Sequence, residues 1–193
     1  MWPRVRGDAG GDGRGGCGMS SQPQLLQIAL DPGDVVYTPD WVARDMVDFF
    51  KPSGRILEPC AGDGVFLKYL PPDTEWCEIE KGRDFFSWRE RVDWIIGNPP
   101  YKQFYEFMLH SFEIANNIVY LLPIDKPFNV FLTHKMIYER GGIVHLRCYG
   151  DGRTIGVPEI HRPATAIHFQ RGYTDGMYTS FYAPPPNRPR PPG

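Results

Sequence analysis

The stretch VDWIIGNPPY, Val92 to Tyr101, constrains the fold of this chain more than any other. Its apolar centre, Trp94 to Ile96, reads as a short buried strand. The strand cannot run on, because a proline lacks a backbone N–H, fixes φ and holds the residue before it extended. Asn98, Pro99, Pro100 and Tyr101 must therefore stand where a sheet meets its loops. The bland alternative is a turn that merely closes a strand, and a second motif upstream argues against it.

Around this stretch helical and strand patterns alternate. Thr38, Pro39 and Asp40 have the order of an N-cap, a first-position proline and a first-turn acid. Val42, Met46, Phe49 and Phe50 recur at helical spacing up to Lys51-Pro52-Ser53-Gly54. A strand over Arg55 to Leu57 follows, then the loop Glu58 to Gly64. A helix opened by Val65, Phe66, Tyr69 and Leu70 is stopped by Pro71-Pro72. Trp76 to Ile79 and Ile118 to Leu122 read as further strands, and Phe104, Phe107, Met108 and Phe112 mark a helix before the latter. A helix over Val130 to Glu139 ends at Gly141-Gly142, and Ile143 to Cys148 and Ala164 to Phe169 are closing strands. This alternation predicts an α/β fold, a mostly parallel sheet with helices on both faces. Ligands in such folds bind at the carboxyl ends of the strands.

At 193 residues the chain can build one sizeable core, expected over 23–182. Residues 1–22 are glycine-rich with little to bury and read as a disordered leader, with Met19 as an alternative start. Residues 183–193, APPPNRPRPPG, read as an extended tail. The net charge of -2 is unevenly spread: residues 1–100 hold 11 Lys and Arg against 16 Asp and Glu, residues 101–193 hold 10 against 7. A polyanion would find its side in the second half. Cys17, Cys60, Cys77 and Cys148 form no C-x-x-C pair, which predicts reduced thiols and no metal site. His134, His145, His161 and His168 lack triad partners and read as structural. No apolar run approaches the ~20 residues of a membrane span. A soluble, cytoplasmic protein without a membrane partner is expected.

The tetrad Asn98 to Tyr101 suits one kind of chemistry. An exocyclic or amide nitrogen is a poor nucleophile because its lone pair is delocalised. Two acceptors aimed at its N–H bonds pull it towards tetrahedral geometry and free that pair. The side-chain oxygen of Asn98 can be one acceptor and the carbonyl of Pro99 the other, pre-set by the prolines. Tyr101 adds a flat face worth ~1–3 kcal/mol to a stacked base. Upstream, in LEPCAGDG, Gly62 and Gly64 let backbone approach a ligand closely. Glu58 and Asp63 would repel a phosphate, but they suit an ammonium or sulfonium, and S-adenosylmethionine carries both.

Taken together, Tyr37-Thr38-Pro39, Glu58 to Gly64 and Asn98 to Tyr101, in that order, resemble the S-adenosylmethionine-dependent amino-methyltransferases, and most closely the DNA adenine-N6 methyltransferases of the gamma motif order. The resemblance implies a Rossmann-like class I methyltransferase fold with a seven-stranded sheet, and transfer to the N6 amine of an adenine flipped from its stack. By resemblance Thr38 and Pro39 hold the methionine end of the donor, and Glu58, Cys60, Gly62 and Asp63 line its middle. Glu78, with Glu80 as the second choice, takes the ribose, and Asp84-Phe85 flanks the adenine. Tyr37, Pro59 and Gly64 complete the expected donor site.

The sequence departs from that family in one respect. The bacterial DNA enzymes usually carry a separate target-recognition region, and here a single helix separates the tetrad from the next strand. Readout of several base pairs needs an element that enters the major groove. Recognition would then fall to the loops Pro123 to Phe128 and Gly150 to Pro163, the latter with Arg153 and Arg162, or to a dimer or separate specificity subunit. Phe128 and Tyr149 are the candidates to sandwich a base against Tyr101. Structured RNA, a protein glutamine amide, and a non-catalytic nucleic-acid-binding subunit are the alternative readings.

Overall fold

The computed structural model describes residues 37–156 and 162–182. The expected leader, the alternative start at Met19, the proline-rich tail and His161 lie outside the described residues. The elements run α1 (Asp40–Phe50), β1 (Ile56–Glu58), β2 (Glu75–Trp76), β3 (Val92–Gly97), α2 (Phe104–Ile114), β4 (Ala115–Pro123), α3 (Phe131–Arg140), β5 (Gly141–Gly150), α4 (Gly152–Ile155), β6 (Ala164–Arg171) and β7 (Tyr178–Phe181).

The strands form one seven-stranded sheet in the order β2-β1-β3-β4-β6-β5-β7. All pairings are parallel except the two made by β6, with β4 and with β5. Strands β3 and β4 are the spine: Ile95 faces Ile118, and Ile118 to Leu122 are fully buried. Helix α1 covers one face through Val42, Ala43, Met46 and Val47, packed with Ile96, Val119 and Ala166. Helices α2 and α3 cover the other, with Phe104, Met108, Phe112, Met136 and Ile137 against Ile95, Ile118 and Ile167.

Three expectations are corrected, and one strand is located that the sequence left unplaced. Thr38 does not cap α1: the capping position is Pro39, no side chain caps it, and the Thr38 hydroxyl is engaged elsewhere. The helix expected after the glycine loop is a single 3-10 turn, Phe66–Lys68, because Pro71-Pro72 cuts the segment before a nucleated helix can repay its ordering entropy. The strand expected over Trp76 to Ile79 is only Glu75–Trp76. Beyond it Glu78 caps another 3-10 turn, Ile79–Lys81, by accepting the N–H of Glu80. The seventh strand is Tyr178–Phe181, an edge strand no sequence pattern singled out.

Strand β1 lies between β2 and β3, so the chain leaves β1 towards one side of the sheet and arrives at β3 on the other. The carboxyl ends of β1 and β3 therefore border a crevice, the position where open α/β sheets bind ligands. The glycine loop and the Asn-Pro-Pro-Tyr tetrad both start there.

Candidate functional site

The loop after β1 is held by backbone and side-chain bonds to the segment beyond β2. The Ala61 N–H donates to the Cys77 carbonyl at 2.8 Å, and the Gly62 N–H donates to Glu78 Oε2 at 2.6 Å. In return Lys81 Nζ donates to the Gly62 carbonyl at 2.7 Å. Gly62 sits at φ +50, a left-handed conformation that disfavours a side chain, and the space where a Cβ would stand is open.

Glu58 ends β1, directly before this loop. Its side chain is 1 % exposed, and Oε2 has no hydrogen-bond partner. Burial, and then the nearby Glu78, push its carboxyl up to about 8, against a smaller opposing pull from Lys81. An acid in that condition is poised to accept a cation, which would restore its charge. Next to it, Cys60 donates its S–H to the backbone carbonyl of Asn98 at 3.2 Å, and burial holds the thiol well above its ordinary range. Cys60 thus joins the two motifs rather than serving as a nucleophile. Gly97 makes the approach possible: a Cβ there would stand 3.1 Å from Pro59 Cδ and 3.7 Å from Glu58 Cγ.

Asn98 is oriented from α1's entry. Its Nδ2 donates to Thr38 Oγ1 at 3.1 Å, across 60 positions of sequence. The nitrogen end of the amide is thereby assigned to Thr38, which makes the oxygen the end that can accept from a substrate. Pro99 is buried, Pro100 is extended at φ -56 and ψ 123, and its carbonyl accepts from the Gln103 N–H at 3.1 Å. Tyr101 then starts a 3-10 turn into α2, half-buried between the two cores.

The remaining expected residues are placed less directly. Tyr37 and Asp63 are exposed, and Pro39 and Gly64 are partly so. Asp84 is committed locally, accepting from the Phe86 N–H and the Ser87 hydroxyl, each at 3.0 Å. The Phe85 ring belongs to the core, stacked on Phe107 at 5.0 Å with the edge of His110 beside it. Glu80 is exposed within the turn that Glu78 caps, so Glu78 is the acid that faces the glycine loop.

Tyr149 is not a base-stacking ring. It is buried against Trp41, and its hydroxyl donates to Asp45 at 2.9 Å, beside an Arg147–Asp45 pair. His145 bonds Ser180, and His168 bonds Asn117 and stacks on Trp94, both structural roles.

Sequence reasoning missed two features. One is Lys81, which fixes the glycine loop through a carbonyl and carries no motif. The other is a cleft of about 210 Å³ between the start of α2 and the β4–α3 connection, lined by Tyr101, Lys102, Tyr105, Lys126, Val130 and Leu132 among others. It opens directly beside the tetrad. An ion pair between Arg162 and Asp125 and a 2.9 Å bond from the Ile124 N–H to the Pro163 carbonyl join the β4–α3 loop to the segment entering β6.

A sheet with one antiparallel strand, a strand-order reversal at β1 and a glycine loop after it define the Rossmann-like fold of class I methyltransferases. Solved structures share it. A protein described as the modification subunit of a type I restriction enzyme from Vibrio vulnificus aligns at a TM-score of 0.55 and 15% identity, over 84% of this chain and 50% of that one. A protein described as a class I S-adenosylmethionine-dependent methyltransferase from Listeria monocytogenes aligns at 0.54 and 12%, over 81% and 68%. The M protein of the EcoKI type I restriction enzyme aligns at 0.53 and 13%, over 74% and 45%. The chain spans about half the length of these type I subunits. At such identities the likeness defines the fold. No protein-family model matches the chain, and no curated protein does.

Proposed function

We propose that this chain is an S-adenosylmethionine-dependent methyltransferase that acts on the N6 amine of adenine in DNA. The observation that carries the reading is Asn98, just past the end of β3, whose side-chain amide nitrogen is anchored to Thr38 and whose backbone carbonyl is tied through Cys60 to the glycine loop. Donor and acceptor motifs therefore meet at the crevice where this fold binds ligands.

The residues present fit the donor. Thr38, Glu58, Gly62, Glu78 and Asp84 would hold it. The buried, unpartnered Glu58 oxygen and the open face at Gly62 supply a carboxyl for a cation and room for backbone contact. When bound, S-adenosylmethionine supplies an electrophilic methyl group. The chain's own part is to position the nucleophile. The Asn98 oxygen and the Pro99 carbonyl accept the two N–H bonds of the substrate amine and favour the pyramidal nitrogen that attacks. Tyr101 holds the base flat. The base must first leave its stack, at a cost of a few kcal/mol in a duplex and less in a single strand. Unpaired or mismatched adenines are therefore the preferred targets. A further subunit or a second copy of the chain is the proposed source of recognition over several base pairs.

The test is transfer of labelled methyl from S-adenosylmethionine to duplex DNA, single-stranded DNA, structured RNA and a release-factor protein in parallel. Label recovered as N6-methyladenine in DNA supports the proposal, and label confined to RNA or to glutamine moves the substrate class. Asn98→Ala should lower the rate at least ~100-fold while donor affinity is nearly unchanged. Loss of donor affinity as large as the loss of rate would mean that Asn98 belongs to the donor pocket.

A further inference from the structure

The β4–α3 connection presents apolar side chains that the fold leaves uncovered. Phe128, Val130, Phe131 and Leu132 are 47%, 54%, 78% and 63% exposed. Val130 and Leu132 line the cleft beside the tetrad together with Tyr101, Tyr105, Lys102 and Lys126, and Phe128 and Phe131 flank these lining residues along the chain. Helix α3 does not need them, since it docks through Thr133, Met136 and Ile137.

Single exposed apolar residues are ordinary, but a contiguous group beside a functional cleft marks an interaction surface. The charges in the cleft bear on its occupant. The lining carries two lysines against one carboxylate, Glu106, beside the exposed ring of Tyr105, and Phe131, 78% exposed, lies between the lining residues Val130 and Leu132. Cations that track a backbone next to rings that stack on bases are the arrangement that binds unpaired nucleic-acid strands. An apolar protein partner has no use for the lysines.

We infer that Phe131, with Phe128 and Leu132, forms a stacking ledge for the nucleotide next to the methylated one, and that Lys102 and Lys126 hold the backbone phosphates flanking these two nucleotides of a single-stranded nucleic acid. This rests on the methyltransferase reading and specifies its substrate as a strand with unpaired bases. The target base is taken by Tyr101 and Asn98, and its neighbour, which has lost a stacking partner, is received by Phe131. The chain then needs no element that enters a groove to hold its substrate.

The experiment measures fluorescence anisotropy of a labelled, short, adenine-containing single-stranded DNA titrated with the full chain, alongside donor affinity by calorimetry and methyl transfer to the same oligonucleotide. Phe131→Ala should weaken oligonucleotide binding about 5- to 150-fold with donor affinity unchanged. Phe131→Trp should keep wild-type binding, whereas Phe131→Leu should be as weak as the alanine variant, because stacking needs a ring. Lys126→Ala should reduce the slope of log affinity against log salt by about 0.7, the value for one phosphate contact on a single strand.

Wild-type affinity in both Phe131→Ala and Phe128→Ala would overturn the ledge, as would full affinity in Phe131→Leu. So would self-association of the wild type that Phe131→Ala abolishes without any loss of oligonucleotide binding, which would make this face a protein contact. In each of these cases, continued transfer to DNA by the wild type leaves the methyltransferase reading standing. A wild type that binds the oligonucleotide through Phe131 but neither binds donor nor transfers methyl would sink that reading and spare the ledge.

Discussion

Replacing Glu58 by glutamine tests the condition of the proposed donor crevice directly. The folded carboxyl is pushed up to about 8, whereas the ordinary value is 4.5. The folded form therefore keeps a proton that the unfolded chain releases as pH rises above 4.5. Between these limits the unfolded state binds fewer protons, so stability falls as pH rises through about 4.5 to 8, and the penalty is complete above that window. At ~1.4 kcal/mol for each pH interval of one, the loss between about pH 5 and pH 8.5 is about 4 kcal/mol. For a chain of this size that corresponds to a melting temperature lower by roughly 8–16 °C. Glu58→Gln removes the titration and keeps the shape. Its absolute stability matters less than its slope, since the amide is also left with a buried polar atom. Urea unfolding of both proteins across that range should show the variant gaining about 4 kcal/mol on the wild type. His168, which burial lowers to about 4, titrates in the opposite sense at the acid end, but it is common to both proteins and cancels in the difference. Parallel pH profiles would refute the assignment of a neutral, buried Glu58. Saturating S-adenosylmethionine should shrink the wild-type slope and release protons on binding, since a cation beside the carboxyl favours its charged form.

Thr38→Val should lower kcat by about 10- to 100-fold, because the Asn98 amide loses the bond that sets its orientation, and Thr38→Ser should restore it. Equal rates in the two variants would show that the hydroxyl does not position Asn98. Gly97→Ala should destabilise the fold by about 1–2 kcal/mol, since its Cβ would stand 3.1 Å from Pro59, and should weaken donor binding as the glycine loop is pushed off β3. Unchanged urea midpoints and donor affinity would show that the loop yields freely.

The parts of the site legible in the sequence are those encoded within a few residues. Two prolines after an apolar run stop a strand whatever surrounds it, and the tetrad follows directly on the end of β3. Gly62 announces its left-handed turn by its own identity. Thr38 shows the limit of local reading. A threonine before a proline and an acid is a good N-cap by propensity, but Asn98, 60 positions on, offers a partner that cannot be read from neighbours, and that bond wins. The same holds for Lys81, whose role depends on a carbonyl 19 positions away.

Helix α3 shows a second kind of limit. Its first turn opens on two consecutive large apolar residues followed by Thr133, so periodicity cannot decide which stripe faces the sheet, and Phe131 and Leu132 would pass as core. Burial decides it: Thr133, Met136 and Ile137 point inward, and Tyr138 joins Phe131 and Leu132 in solvent. A sequence under pressure only to fold would gain by making those outward positions polar, since exposed aromatics invite association. Keeping them beside a cleft that holds Tyr101 and two lysines makes sense if the outward stripe has its own ligand. The feature that blurs the helical pattern is then the one proposed to carry recognition, and the fold signal and the proposed substrate signal overlap at the start of α3, in Phe131 and Leu132.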